Sequence, residues 1–145
     1  MLGGAILLAA GVGSWVVANS DAERHDVLYQ LTNFSNLSLE QKVQEASAII
    51  FCKHKRKAGS VICIVAEILK ERNEANFRYR IDDISPDVIR SARSDVDYGD
   101  GEVLFFIASE SRPVYAVSVS DDGWLRGPDH ISLDQLRMLA MQAKQ

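Results

Sequence analysis

The sequence predicts a mostly β domain with flanking helices. Three observations carry that expectation. Two runs rich in β-branched residues, "SAIIFCKHK" (47–55) and "SVICIVAEILK" (60–70), flank the basic, glycine-containing tip "RKAGS", as the arms of a hairpin do. A second pair, "EVLFFIAS" (102–109) and "PVYAVSVS" (113–120), flanks "ESR". Helix-start signals stand at both ends of this β-rich stretch and once between the two hairpins.

In chain order, the first feature is a leader. From Leu2 to Ala18 no residue is charged, which is at the low end of the length that spans a bilayer as a helix, and Val16-Val17-Ala18 resembles the small-residue site cut by signal peptidase. No Lys or Arg precedes the apolar run, so the usual basic start of an export signal is missing. Residues 1–18 are therefore expected to be a signal peptide or an N-terminal membrane anchor, with a buried core helix as the bland alternative. Residues 19–45 form a helical linker region. Within it, Ser20-Asp21-Ala22-Glu23 and Ser38-Leu39-Glu40-Gln41 fit the capping box, in which Ser accepts from a free helix N–H and the residue three later reaches back. Between them Asn33 and Asn36 head two Asn-x-Ser sequons.

The remaining residues, 46–145, are expected to be the β domain. After the first hairpin, "NFRYRID" (76–82) alternates as a third strand. "SPDVIRSARSD" offers Ser85 as N-cap, Pro86 at the first helical position and Asp87 in the first turn, hence a short helix. The second hairpin follows, Asp121-Asp122-Gly123 turns the chain, and Ser132-Leu133-Asp134-Gln135 caps a last helix that buries Leu136, Leu139 and Ala140. Three strands, a short helix between strands 3 and 4, two strands and a C-terminal helix is the order of a five-stranded OB-like β-barrel.

A chain of 145 residues, 47% hydrophobic and 25% charged, holds one such domain with a real core. A net charge of −4 argues against a surface matched overall to nucleic acid. The acidic stretch "SDVDYGDGE" (94–102) falls in the connector to strand 4. As an EF-type calcium loop starting at Asp95 it fails, because Gly99 and Phe106 occupy ligand positions and Asp100 the glycine position. A looser oxygen cage from Asp95, Asp97, Asp100 and Glu102 is the weak metal candidate, and a solvated turn the main reading.

The run "EASAIIFCKHKRKAGSVICIVAEILK", then "YGDGEVLFFIASESRPVYAVS" and "ISLDQLRMLA", resembles the bacterial secreted modules related to tissue-inhibitor-of-metalloproteinase and netrin-like OB domains, over roughly residues 45–141. The resemblance implies an extracytoplasmic, non-enzymatic interaction domain. It does not extend to metalloproteinase inhibition, since the mature start it would place at Asn19 is not a cysteine, nor to the multi-disulfide pattern of the animal members.

Cys52 and Cys63 would face each other if the first hairpin turned about Lys57-Ala58, within disulfide reach; buried free thiols in a covered strand pair are the equal alternative. His25, His54 and His130 show no His-x-x-x-His or Cys-x-x-Cys spacing for zinc, and there is no Gly-x-Ser-x-Gly elbow or phosphate-binding glycine loop. No catalytic residue and no cofactor is expected. Two binding surfaces are: Lys53, Lys55, Arg56 and Lys57 at the hairpin tip, suited to anionic lipid or an acidic partner, and Arg78 and Arg80 alternating with Phe77 and Tyr79. The expected function is that of a secreted or membrane-anchored interaction module binding a protein or envelope partner. A nucleic-acid-binding OB domain and an unrecognised hydrolase are the alternatives.

Overall fold

A computed structural model of the chain describes residues 33–76, 78–91 and 97–143. The leader at 1–18, the helix starting at Ser20, Phe77 and Asp95 lie outside the described residues. Among the described residues, no helix is long and apolar enough to cross a membrane. The chain divides into two compact units, 1–36 and 37–145, and the second carries every element below.

That unit is mostly β, with one five-stranded antiparallel sheet. Helix α1 (Leu39–Glu45) leads into strands β1 (Ala48–Lys57), β2 (Ser60–Glu71), β3 (Ile84–Ser91), β4 (Gly101–Phe106) and β5 (Tyr115–Val119), and helix α2 (Leu133–Ala143) closes the chain. The sheet order is β3-β2-β1-β4-β5. Its first four strands thus stand in Greek-key order, β4 returning by a long connection to lie beside β1. β3 and β5 are the two edges, so the sheet is open rather than closed into a barrel.

Both helices start as their sequences dictate. Ser38 Oγ accepts from the Gln41 N–H at 3.2 Å while the Ser38 N–H donates to Gln41 Oε1 at 3.0 Å. Ser132 and Gln135 repeat the exchange, at 3.2 and 2.8 Å. Each box satisfies two N–H groups that a helix start would otherwise leave unpaired.

Two expectations are corrected. Residues 78–82, expected to belong to a third strand, lie outside any strand, in a turn where the Asp83 carboxylate accepts from the Arg80 N–H at 2.7 Å and Asp82 takes a φ of 75°. The third strand is the stretch expected to be the short helix. Ser85 and Pro86 do read locally as a helix start, but pairing of Ile84 with Ile64, Ser85 with Cys63, Arg90 with Val61 and Ser91 with Ser60 prevails. Residues 86–89 stand opposite Ile62 alone, in a wide irregularity of an edge strand. Proline is tolerated there because no ladder bond needs its missing N–H.

The hairpin turn is also shifted from its expected place. Lys57 pairs with Ser60, so the two-residue loop is Ala58-Gly59, with φ of 50° and 80°. Positive φ at both central positions is the geometry whose twist matches that of the flanking strands.

Strand alternation sorts side chains onto two faces. One holds Ile49, Phe51, Val103, Phe105 and Val117, and the helices cover it: Arg137 of α2 pairs with Glu67 of β2 at 2.9 Å, and Lys70 of β2 reaches the end of α1. Leu39, Val43, Leu133, Leu136 and Ala140 supply the buried helix residues. The other face carries Ala48, Ile50, Cys52, Cys63, Val65, Leu104 and Phe106, all fully buried, with Ala75 and Tyr79 packed against them. The functional candidates lie at one end of this second face.

Candidate functional site

The second face is apolar from Ala48 to Val65 and turns polar where β1 passes Cys52. Register explains the cluster. Cys52 stands opposite Val65 on β2 and opposite Glu102 on β4; His54, two residues on and hence on the same face, stands opposite Cys63; and Cys63 stands opposite Ser85 on β3. Four adjacent strands thereby bring Glu102, Cys52, His54, Cys63 and Ser85 together, although they are scattered along the chain.

Cys52 and Cys63 are joined by a disulfide with a Cα–Cα distance of 5.3 Å. The bridge is diagonal, because the turn at Ala58-Gly59 places His54, not Cys52, directly across from Cys63. The right-handed twist of a strand pair draws one of its two diagonals close enough to be bridged. Neither cysteine is exposed.

His54 is held at both ring nitrogens. Nδ1 lies 3.3 Å from the Gly99 carbonyl and Nε2 lies 3.1 Å from Glu102 Oε2. A carbonyl only accepts, so Nδ1 carries a hydrogen. A proton then sits between Nε2 and the carboxylate, whichever of the two atoms holds it. The side chains are 6% and 4% exposed, so this is a buried pair. Removing either partner takes a buried contact from the other.

Among its described residues, the acidic loop delivers this geometry. Asp97 accepts from the Gly99 N–H at 2.9 Å and pairs with Arg126 at 2.8 Å. Those contacts, the Gly99 N–H first and the Arg126 guanidinium second, hold the Asp97 carboxyl below its usual range. Asp100 acts through its backbone, its carbonyl accepting from the His54 N–H and its N–H donating to the Val119 carbonyl. Glu102 belongs to β4 and turns to His54. Of the four acidic candidates, the three described residues therefore face different partners.

Two glycines let the loop approach. A Cβ on Gly101 would lie 2.0 Å from the Cys52 carbonyl oxygen, and one on Gly99, whose φ is 75°, 2.4 Å from that of Val119. Tyr98 stands edge-on to His54 at 6.4 Å and lies under the Arg56 guanidinium at 5.6 Å. Between loop and sheet is a cavity of about 240 Å³ lined by His54, Arg56, Val61, Asp97, Tyr98 and Gly99.

Comparison with known proteins finds no family model, no curated protein and no solved structure that matches the chain.

Of the other sequence candidates, Arg56 lines the same cavity and the rest lie apart from this cluster. Lys53, Lys55 and Lys57 alternate with His54 and Arg56, so the lysines share one side of the exposed hairpin tip and Arg56 takes the other, over Tyr98. Arg78 and Arg80 lie outside any strand, which removes the aromatic–arginine alternation expected there; Arg80 sits 3.8 Å from Glu71. The contact of His54 with Glu102, and its place across from Cys63, have no spacing signature in the sequence. The one local trace of it is Cys52-x-His54, whose spacing puts both residues on one strand face.

Proposed function

We propose that the chain is a non-enzymatic interaction module of an extracytoplasmic compartment, secreted or anchored through its N-terminal segment, whose lysine-bearing hairpin tip contacts an anionic envelope or protein surface. The single observation that carries this reading is the buried Cys52–Cys63 bridge. Disulfides persist in oxidising compartments and are rare in reducing ones. The uncharged run from Leu2 to Ala18 agrees with such an address.

Two further features support it. The Cys63 sulfur is committed to the bridge and both His54 nitrogens are engaged, which leaves neither poised as a nucleophile or its base. A five-stranded sheet with Greek-key order fits a partly open OB-like barrel, a fold that serves chiefly for binding.

The test is the location and thiol state of the full chain carrying a C-terminal tag. Cells are acid-quenched, alkylated before reduction and fractionated. The tag is expected in the envelope or the medium, with Cys52 and Cys63 both protected from alkylation. A cytosolic product with both cysteines alkylated sinks the reading.

A further inference from the structure

We propose that reduction of the Cys52–Cys63 bridge creates a zinc site in which Cys63 Sγ, His54 Nε2 and a Glu102 carboxylate oxygen are the protein ligands, so that disulfide and metal are mutually exclusive states of one cluster. The three ligand atoms already lie within 4.8 Å of one another, and His54 Nε2 and Glu102 Oε2 are 3.1 Å apart. Around a tetrahedral zinc, bonds of about 2.0–2.3 Å put such atoms roughly 3.3–3.8 Å apart. Closing the cluster takes a side-chain adjustment of about an ångström rather than a new backbone. One sulfur, one imidazole and one carboxylate form the borderline donor set that suits zinc, and leave the fourth position for water from the adjoining cavity of about 240 Å³, which His54 lines.

The surroundings are those of a ligand set. A metal-bound histidine characteristically donates its other ring N–H to a carbonyl or carboxylate, which fixes the tautomer and aims the free nitrogen. His54 makes that bond, Nδ1 to the Gly99 carbonyl. On the far side of Cys63, directly across the β2–β3 ladder, Ser85 Oγ is buried with no hydrogen-bond partner among the described residues. That hydroxyl is a polar group beside the cluster whose hydrogen-bonding capacity no described residue uses.

The chemistry balances in two steps. A dithiol reductant attacks the bridge by thiol–disulfide exchange: two electrons pass to the sulfurs, Cys52 and Cys63 each gain a proton, and the reductant becomes its own disulfide. The zinc ion then displaces the Cys63 thiol proton and the proton held between His54 and Glu102. Thiolate, neutral imidazole and carboxylate together offset the metal charge in a site where a bare cation would be costly. Zinc draws electron density from the Cys63 thiolate and lowers its nucleophilicity, so bound metal slows re-formation of the bridge. The inference concerns the reduced chain and does not depend on which compartment holds it.

The experiment titrates cobalt, then zinc, into the reduced full chain in mild detergent, with Cys52→Ala as a second form that cannot make the bridge. One equivalent of cobalt is expected to give a thiolate-to-cobalt charge-transfer band and tetrahedral d–d absorption, which zinc displaces. The oxidised chain should show neither. Glu102→Gln keeps the hydrogen bond to His54 and is expected to bind at least tenfold more weakly, and Cys63→Ala to lose the charge-transfer band altogether. Folded reduced chain and folded Cys52→Ala that both fail to bind would overturn the proposal, as would binding that is unchanged by Glu102→Gln or equal in the oxidised chain. If both reduced forms lose far-ultraviolet circular dichroism, zinc must restore it; failure to do so overturns the proposal equally.

Discussion

Lys70 Nζ, carried on β2, lies 2.6 Å from the Val43 carbonyl and 2.9 Å from that of Gln44, so a strand lysine closes the C-terminal end of α1. The last carbonyls of a helix have no partner within it, and these two are satisfied by a side chain with no exposed surface. Burial, and secondarily the charge of Arg72, push the Lys70 pKa down from 10.5 to about 8. Between those values the unfolded chain binds more protons than the folded one, so stability should rise as pH increases from about 8 and the lysine no longer has to be held charged. Above pH 10 Tyr115, whose pKa is raised by burial, works in the opposite direction, so the useful window lies below it. Denaturant melts from pH 7.5 to 9.5 should show the rise in wild type and lose it in Lys70→Met. That variant should also be less stable by about 1–3 kcal/mol at neutral pH, through its orphaned carbonyls.

Gly101 and Gly59 make a matched pair. Alanine at 101 would drive its Cβ to 2.0 Å from the Cys52 carbonyl oxygen, which is backbone and cannot swing aside. Alanine at 59 meets nothing within 4 Å and carries only the strain of a φ of 80°. Gly59→Ala should cost about 1 kcal/mol, whereas Gly101→Ala should cost at least about 3 kcal/mol and part β1 from β4. Equal melting points for the two variants would contradict the close approach of these strands.

Ser85→Ala is expected to leave stability unchanged or raise it by about 1 kcal/mol. A buried hydroxyl with no partner among the described residues has lost its water and gained nothing from them in exchange. A loss of more than about 1 kcal/mol in the oxidised protein would show that the hydroxyl is bonded after all.

Calcium should have little effect. Asp97 is held by the Gly99 N–H and by Arg126, Asp100 serves through its backbone, and Glu102 faces His54. Melting with and without millimolar calcium should agree within about a degree, since an ion raises the melting temperature only by binding the native state preferentially. Asp97→Asn should leave the melting temperature almost unchanged, because its ion pair with Arg126 is open to solvent and screened by it.

What the sequence disclosed was what short-range chemistry decides. The boxes at Ser38–Gln41 and Ser132–Gln135 need only neighbouring residues, and both are present. The β1–β2 hairpin was legible from its β-branched arms, but its turn was not, because Ala58 takes a φ of 50° that glycine more often signals. That shift of register is why the cysteines join diagonally and why His54 faces Cys63. β3 was missed because Ser85 and Pro86 satisfy the local rules for a helix start, while the pairing that overrules them reaches back to Cys63 and Ile64. His54 and Glu102 meet only through the β1–β4 register, and no spacing rule spans that distance.

The hairpin tip gives the sharpest test of the proposed function. Lys53, Lys55 and Lys57 share one exposed side, while Arg56 lies on the other, 5.6 Å from the centre of the Tyr98 ring. A membrane can meet only one side of a two-stranded ribbon at a time. Each lysine near an anionic surface should contribute about 1 kcal/mol, fading as salt shortens the screening length from about 30 Å at 0.01 M to about 8 Å at 0.15 M. The 37–145 unit, which lacks the apolar leader, is therefore expected to bind anionic vesicles weakly at low ionic strength and not to bind neutral ones. Changing Lys53, Lys55 and Lys57 together to Ser should abolish the binding and lower the melting temperature by no more than a few degrees, because charges at an exposed tip add little to stability. Arg56→Ser should keep most of the binding, since that guanidinium stacks on the loop that supports His54. Equal loss in both variants would mean that the tip acts as an undirected cloud of charge. Undiminished binding by the triple variant would remove the tip from the contact altogether.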